Sequence, residues 1–234
     1  MPDGYRGMGR ALQEVLTQEG PGEDLEIEGP SLANARRRQV FQYLCLRPCS
    51  RVGDTCRALS LSQATVRWHE RNLLENGYLE LEANRMFPLG LIDSADAPLF
   101  VLLTGPGRAS ILRESFDVPG VSLQEVGGRV GITRQSASKI ASELAQAGLV
   151  TVSEDGRFRR IYPTDAIPRK RDSNRGRANA FVDRLVRRLG DDGLHPELLR
   201  REDAIALIRF GVGSLRVLMD VSTDPYTTSW RPAY

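Results

Sequence analysis

Apolar and polar residues along the chain fall into helical and alternating stretches. Asn34 to Leu46 carries Val40, Phe41, Leu44 and Cys45 at helical spacing, which predicts a helix that Pro48 stops. A second short helix is read over Arg51 to Leu59, with Val52, Cys56 and Leu59 inward. Ser62 stands where a capping hydroxyl is needed. A third helix follows from Gln63 to Asn76, with Val66, His69 and Leu73 on one face. Gly77 suits the left-handed residue that ends such a helix. Two strands, Tyr78 to Glu82 and Met86 to Leu91, are joined at Ala83-Asn84-Arg85.

The same order returns further along. Helices are read over Arg108 to Phe116 and Leu123 to Val130, then a turn at Gly131-Ile132 and a cap at Thr133. The next helix runs from Arg134 to Ala147, with Ala137, Ile140, Ala141 and Leu144 inward, and Gly148 ends it. Strands Leu149 to Ser153 and Arg157 to Pro163 flank the hairpin signal Glu154-Asp155-Gly156. An offset of 71 residues sets Leu73 on Leu144, Gly77 on Gly148 and Leu79 on Val150. That period is too long for a solenoid and suits a duplicated small domain.

Three helices and a two-stranded hairpin follow the winged helix-turn-helix plan. The strings ATVRWHERNLLENGYLEL and QSASKIASELAQAGLVTVSEDGRFRRIYP resemble the recognition helix and wing of winged-helix regulators of the ArsR/MarR type. Two copies in one chain, the first with VRWH and a wing ending RMFPLGL, resemble the tandem winged-helix regulators common in archaea. The resemblance covers about residues 34–164. It departs from the usual pattern at Glu70, where Leu is common, and at Asn72, where a basic residue is common. It implies a mainly α fold with small β-wings and a role in binding DNA.

Beyond Pro163 the pattern changes. Ile167 to Arg177 is polar and aperiodic, a linker or arm, and its stretch from Arg169 has five basic groups and one acid. Ala178 to Leu189 reads as an amphipathic helix with Phe181, Val182, Leu185, Val186 and Leu189 on one face. A helix from Pro196 to Phe210, a break at Gly211 to Gly213 and a continuation from Ser214 to Val221 complete a helical C-terminal region with an aromatic tail. The expected order is an acidic, partly disordered segment (1–32), a first winged-helix domain (33–95), a second (96–165), a basic linker (166–177) and the helical C-terminal region (178–234). Within the first segment, Gly9 to Gln18 has the spacing of one helix, with Leu12, Val15 and Leu16 together.

Composition narrows the class. The 234 residues are 41% apolar and 26% charged, which excludes a wholly disordered or collagen-like chain. The longest apolar run, Ala97 to Leu103, is broken by Pro98 and falls far short of the roughly 20 residues that cross a bilayer. Acid and glycine in Met1 to Arg10 oppose a secretory signal, so a cytoplasmic protein with no membrane contact is expected. Basic and acidic residues nearly balance, 32 against 30, but residues 1–30 carry net −5 and residues 31–234 net +7. All basic groups except Lys139 and Lys170 are Arg, which binds phosphate and base edges in a bidentate way. A genome rich in Arg codons would give the same count.

Candidate chemistry follows from these faces. In the second copy the outward set is Thr133, Arg134, Gln135, Ser136, Ser138, Lys139 and Ser142, and in the first Gln63, Thr65, Arg67, Trp68 and Arg71. A recognition helix presents such groups to the major groove. Alternation puts Arg157 and Arg159 on one face of the second wing, where they can meet phosphate or a minor groove, with Phe158 and Arg160 on the other. The first wing has only Arg85 and is apolar beyond it, so it is expected to pack on the second copy or on another chain. Arg175-Gly176-Arg177 resembles the core of a minor-groove hook, without flanking prolines. Cys45, Cys49 and Cys56 are either buried reduced thiols or a soft-metal or redox site, and their odd number argues against a disulfide framework. His69 reads as a core residue and His195 as part of a helix start. No His-Glu-x-x-His or phosphate loop is present, so no enzyme, metal or cofactor is expected.

The expected function is a sequence-specific regulator that binds double-stranded DNA as a homodimer. Two other readings share the sequence: a tandem winged-helix scaffold for protein partners in chromosome or transcription machinery, and a plasmid or virus replication-partition factor. The acidic first thirty residues are candidates to compete with DNA for the basic faces.

Overall fold

The computed structural model describes residues 31–231, so the helix expected over Gly9 to Gln18 and the competing acidic segment lie outside the described residues. The Asn34 side chain accepts from the Arg37 amide at 3.0 Å and opens helix α1 (Ala35–Leu46), which buries Val40, Phe41, Leu44 and Cys45. Helix α2 (Val52–Leu59) ends on Ser60 in the left-handed region. Ser62 caps α3 (Gln63–Glu75) as the sequence predicts, and Gly77, at φ +68°, lets the chain turn out of it. Strands β1 (Leu79–Glu82) and β2 (Arg85–Pro88) pair antiparallel around Ala83-Asn84, both at positive φ.

The second unit repeats this order with two additions. Helix α4 (Ala97–Leu103) occupies the apolar run that Pro98 was expected to break. Pro98 lies in its first turn, where an amide has no helical partner to lose. Helix α5 (Pro106–Asp117) likewise starts on a proline. A short strand β3 (Val121–Ser122) precedes α6 (Leu123–Val130), whose entry is a reciprocal Ser122–Glu125 capping box. Helix α7 (Arg134–Gln146) begins at the Thr133 cap. Strands β4 (Val150–Asp155) and β5 (Phe158–Pro163) form the hairpin, and β3 adds to β5 to give the order β3-β5-β4.

The C-terminal third departs from expectation. The predicted linker is the first part of one helix, α8 (Ala166–Asp191). Its buried stripe runs through Ile167, Asn174, Ala178 and Phe181, so a polar residue interrupts the apolar spacing. Asn174 belongs there because its Nδ2 donates to the Leu91 carbonyl at 2.9 Å. Ion pairs of Lys170 with Asp96 and Arg177 with Asp93 hold the basic face. The helices expected over 196–221 are strands β6 (Glu197–Arg201), β7 (Ile205–Val212) and β8 (Leu215–Ser222), antiparallel in that order. Ala206, Ile208, Phe210 and Val212 are buried at a period of two, which is strand spacing. His195 is exposed at φ +46° ahead of β6, not at a helix start.

Contacts between distant segments close the core. Gln42 on α1 donates to the carbonyl and carboxylate of Asp220 on β8, 2.9 Å each. After β8 the chain forms α9 (Pro225–Thr228) and buries Trp230, which stacks on Phe116 at 4.8 Å. The residues that flank the first hairpin, Tyr78, Leu89 and Leu91, contact α8, while Leu81 to Asn84 at its tip are exposed. There Arg184 donates to the Leu89 carbonyl, and the Tyr78 hydroxyl donates to Asp192 at 2.7 Å. No helix among the described residues is long and apolar enough to cross a membrane.

Candidate nucleic-acid interface

Helix α7 has one sealed side and one open side. Ala137, Ala141 and Leu144 are fully buried, while Arg134, Gln135, Ser136, Lys139 and Ser142 are exposed and Ser138 is half-buried. Gly127 lets α6 approach α7, since a Cβ there would sit 3.1 Å from the Ile132 carbonyl oxygen. Thr133 is committed to the cap, its Oγ1 accepting from the Ser136 amide at 3.1 Å.

The wing is tied to this helix. Arg159 on β5 donates to Ser138 Oγ at 2.8 Å. Arg157, at the hairpin tip, places its guanidinium 5.0 Å from the Phe158 ring centre. Ser122, Arg134, Ser138, Arg157, Phe158 and Arg159 border a notch of about 70 Å³ between helix and wing. Gln124 also lines it, a residue the sequence reading missed, although the Ser-Leu-Gln-Glu capping box at 122–125 marks it as exposed at a helix start. Arg160 faces away, to Asp155 at 2.6 Å and the Gly120 carbonyl at 2.9 Å. The ion pairs of this unit among the described residues are Arg108–Glu143, Arg129–Glu114 and Arg160–Asp155. Arg134, Lys139, Arg157 and Arg159 belong to none of them. The second unit thus gathers four uncompensated cations on one surface.

The first unit presents a different face. Gln63, Arg67 and Arg71 are exposed on α3. Thr65 is half-buried, with Oγ1 2.8 Å from Ser62 Oγ. Trp68 is 54% exposed and lies under the Arg37 guanidinium, 5.0 Å from its ring centre. Behind it His69 and Glu70 are buried side by side. Burial pushes the Glu70 carboxyl up to about 7, against the pull of Arg67. Burial, then the charges of Arg37 and Arg36, lowers His69 to about 4. The Arg175-Gly176-Arg177 stretch is helical, with Arg177 on Asp93, so it is not an extended groove hook.

Two of the three cysteines are core groups, and Cys56 is half-buried. Cys45 and Cys49 are buried, and burial pushes the Cys49 thiol up to about 12 and Cys45 upward as well. Both are therefore protonated at neutral pH, whereas metal binding and exchange need a thiolate. Among the described residues no three His, Cys, Asp or Glu side chains gather at metal-binding distance.

No family model matches the chain, and no curated protein does. Among solved structures it is similar to the PcaV transcriptional regulator from Streptomyces coelicolor, a complex with that protein's natural ligand, at 27% identity. The likeness covers 38% of this chain and 65% of that one, less than two thirds of its length, and at a TM-score of 0.27 it carries no argument about fold or function.

Proposed function

We propose that the chain is a sequence-specific regulator of transcription that binds double-stranded DNA through two tandem winged helix-turn-helix units, with the second as principal reader. The observation that carries this reading is the open side of α7. It presents Arg134, Gln135 and Lys139 beside a wing whose Arg157 and Arg159 have no carboxylate partner among the described residues. Gln135 has the donor–acceptor pair that reads adenine, and Arg134 the fork that reads guanine. Lys139, Arg157 and Arg159 suit phosphate, which fixes position and not sequence. Arg67 and Arg71 add a weaker contact from the first unit, where Trp68 is already engaged by Arg37.

A homodimer on paired half-sites belongs to the same reading. Its contact surface is not the apolar face of α8, because Phe181, Val182, Leu185 and Leu189 are buried within the chain. The reading assigns no catalytic residue, metal or cofactor. The scaffold alternative draws on the apolar first wing and on Glu70; of these Phe87 and Glu70 are buried within the chain, and Leu81 of the wing is exposed.

Selection of bound fragments from genomic DNA supplies the site. The Arg134→Ala, Arg157→Ala double variant then tests the surface. Weakened binding of the selected duplex at moderate salt supports the assignment, and binding as tight as the parent's removes it.

A further inference from the structure

Helix α3 carries an outward ring that α7 lacks. Trp68 is the most exposed aromatic side chain among the described residues. Leaving an indole in water forgoes the burial of one of the largest apolar side chains. The ring is nevertheless fixed. The Arg37 guanidinium lies 5.0 Å from its centre, and the His69 ring meets it edge-on at 4.9 Å between centres. Arg37 and His69 are themselves buried, so they occupy the inner side of the indole and its outer side is open.

The surroundings of the ring are cationic. Arg67 and Arg71 are exposed on the same helix and enter no ion pair or hydrogen bond among the described residues. Arg36, exposed on α1, adds a third charge beside His69. The exposed acid of α3, Glu75, stands two turns beyond Trp68. What the second unit offers to a duplex is missing here. At the 71-residue offset Ala64 replaces Gln135, and Trp68 replaces Lys139. A methyl thus stands in place of the adenine reader and an indole in place of a phosphate cation. The exposed tip of the first wing carries Glu82 and no basic group, where a duplex backbone needs cations.

We propose that the open side of Trp68 stacks on an unpaired base, with Arg67 and Arg71 on the neighbouring phosphates, so that α3 holds single-stranded DNA while α7 holds duplex. Every base has a flat face, so an indole takes any of them, and cations beside it track the strand. A ring already braced by Arg37 and His69 loses little freedom when a base covers it. The inference rests on the regulator reading only in taking the chain to bind DNA. Its site is tested on a strand without paired bases, which offers α7 no groove.

The test titrates the full chain with an end-labelled thymidine strand of about 12 nucleotides and with an abasic sugar-phosphate strand of the same length, read by fluorescence anisotropy. Tryptophan emission, followed with the unlabelled strands, is the second readout. The thymidine strand should bind at least about tenfold more tightly than the abasic one and quench the emission at the same midpoint. Trp230 is buried against Phe116, so the quench reports Trp68. Trp68→Leu should remove the quench and weaken the thymidine strand about tenfold, and Trp68→Phe should restore part of the affinity. The abasic comparison uses the unsubstituted chain and so does not depend on how a variant folds. The Arg134→Ala, Arg157→Ala double variant should bind the thymidine strand as the parent does. Failure of the duplex selection with this result intact removes the regulator reading alone. Thymidine and abasic strands binding alike, Trp68→Leu binding thymidine as tightly as the parent, or loss of the strand in the double variant overturns the proposal.

Discussion

Replacing Glu70 by Gln should tilt a pH–stability profile whose two neighbouring contributions cancel. Glu70 titrates near 7 in the fold against 4.5 when free. The folded chain therefore keeps a proton that the unfolded chain has released, and stability falls as pH rises from about 4.5 to about 7. His69 titrates near 4 against 6.5, so it is neutral when folded and charged when unfolded. Its contribution is full above about 6.5 and is lost as pH falls toward about 4. One proton of difference is worth about 1.4 kcal/mol per pH unit. Between about pH 4.5 and 6.5 the two slopes are equal and opposite. Gln has nearly the shape of a protonated Glu and does not titrate. Relative to the parent, Glu70→Gln should thus gain about 1.4 kcal/mol per unit, or about 2.7 kcal/mol across this window. His69→Leu should show the opposite slope relative to the parent. Urea unfolding followed by circular dichroism at about pH 4.5, 5.5 and 6.5 measures it. The difference between variant and parent is the quantity to read, because every other titrating group is common to both. A Glu70→Gln difference that stays constant with pH refutes the reasoning.

Three further outcomes follow. With three cations on phosphate, the slope of log affinity against log salt should be roughly −2.7, so a fourfold rise in salt weakens binding about 40-fold; Arg157→Gln should make the slope shallower by about 0.9, read by fluorescence anisotropy on a duplex of about 30 base pairs. Gly127→Ala places a Cβ 3.1 Å from the Ile132 carbonyl oxygen and should cost about 1–2 kcal/mol, seen as a lower Tm, because a backbone oxygen yields less readily than a side chain. Asn174→Ala leaves the buried Leu91 carbonyl without its donor and should cost about 1–3 kcal/mol in the same unfolding assay; an unchanged midpoint would show that the bond contributes nothing.

Where structure was set by local chemistry, the sequence was legible. Ser62, Thr133, Gly77 and Gly148 bracket α3 and α7 within a residue of their predicted ends, because capping needs only a hydroxyl or a left-handed residue a few positions away. The C-terminal sheet was not legible for a physical reason. Along β7 the buried Ala206, Ile208 and Phe210 alternate with Leu207 and Arg209, and Leu207 is itself apolar and half-buried. Alternation is thereby blurred into a run that fits either period. In α8 the polar Asn174 occupies a core position for the sake of a carbonyl 83 residues away, which no local pattern reveals. At the candidate interface, exposure on α7 followed from helical periodicity, but the Arg159–Ser138 contact joins positions 21 apart and needed the hairpin folded against the helix.

The two copies differ where their surroundings differ, and this argues that a duplex would be engaged unequally. Val66 and Ala137 are equivalent and buried, as are Leu73 and Leu144, because these positions hold each helix in its unit. Glu70 and Ala141 also share a buried position, yet one is a carboxyl and the other a methyl. The hairpins diverge further. Phe87 and Leu91 of the first are buried, with Leu89 and Leu91 accepting from α8 through their carbonyls. In the second, Arg157 is exposed at the tip and Arg159 binds its own helix. The residues that follow the first wing anchor a 26-residue helix, and the exposed wing tip, Leu81 to Asn84, carries no basic group. The first unit is thereby committed to holding the C-terminal third, and contact with DNA should centre on α7 and the β4–β5 hairpin, with α3 contributing charge from Arg67 and Arg71.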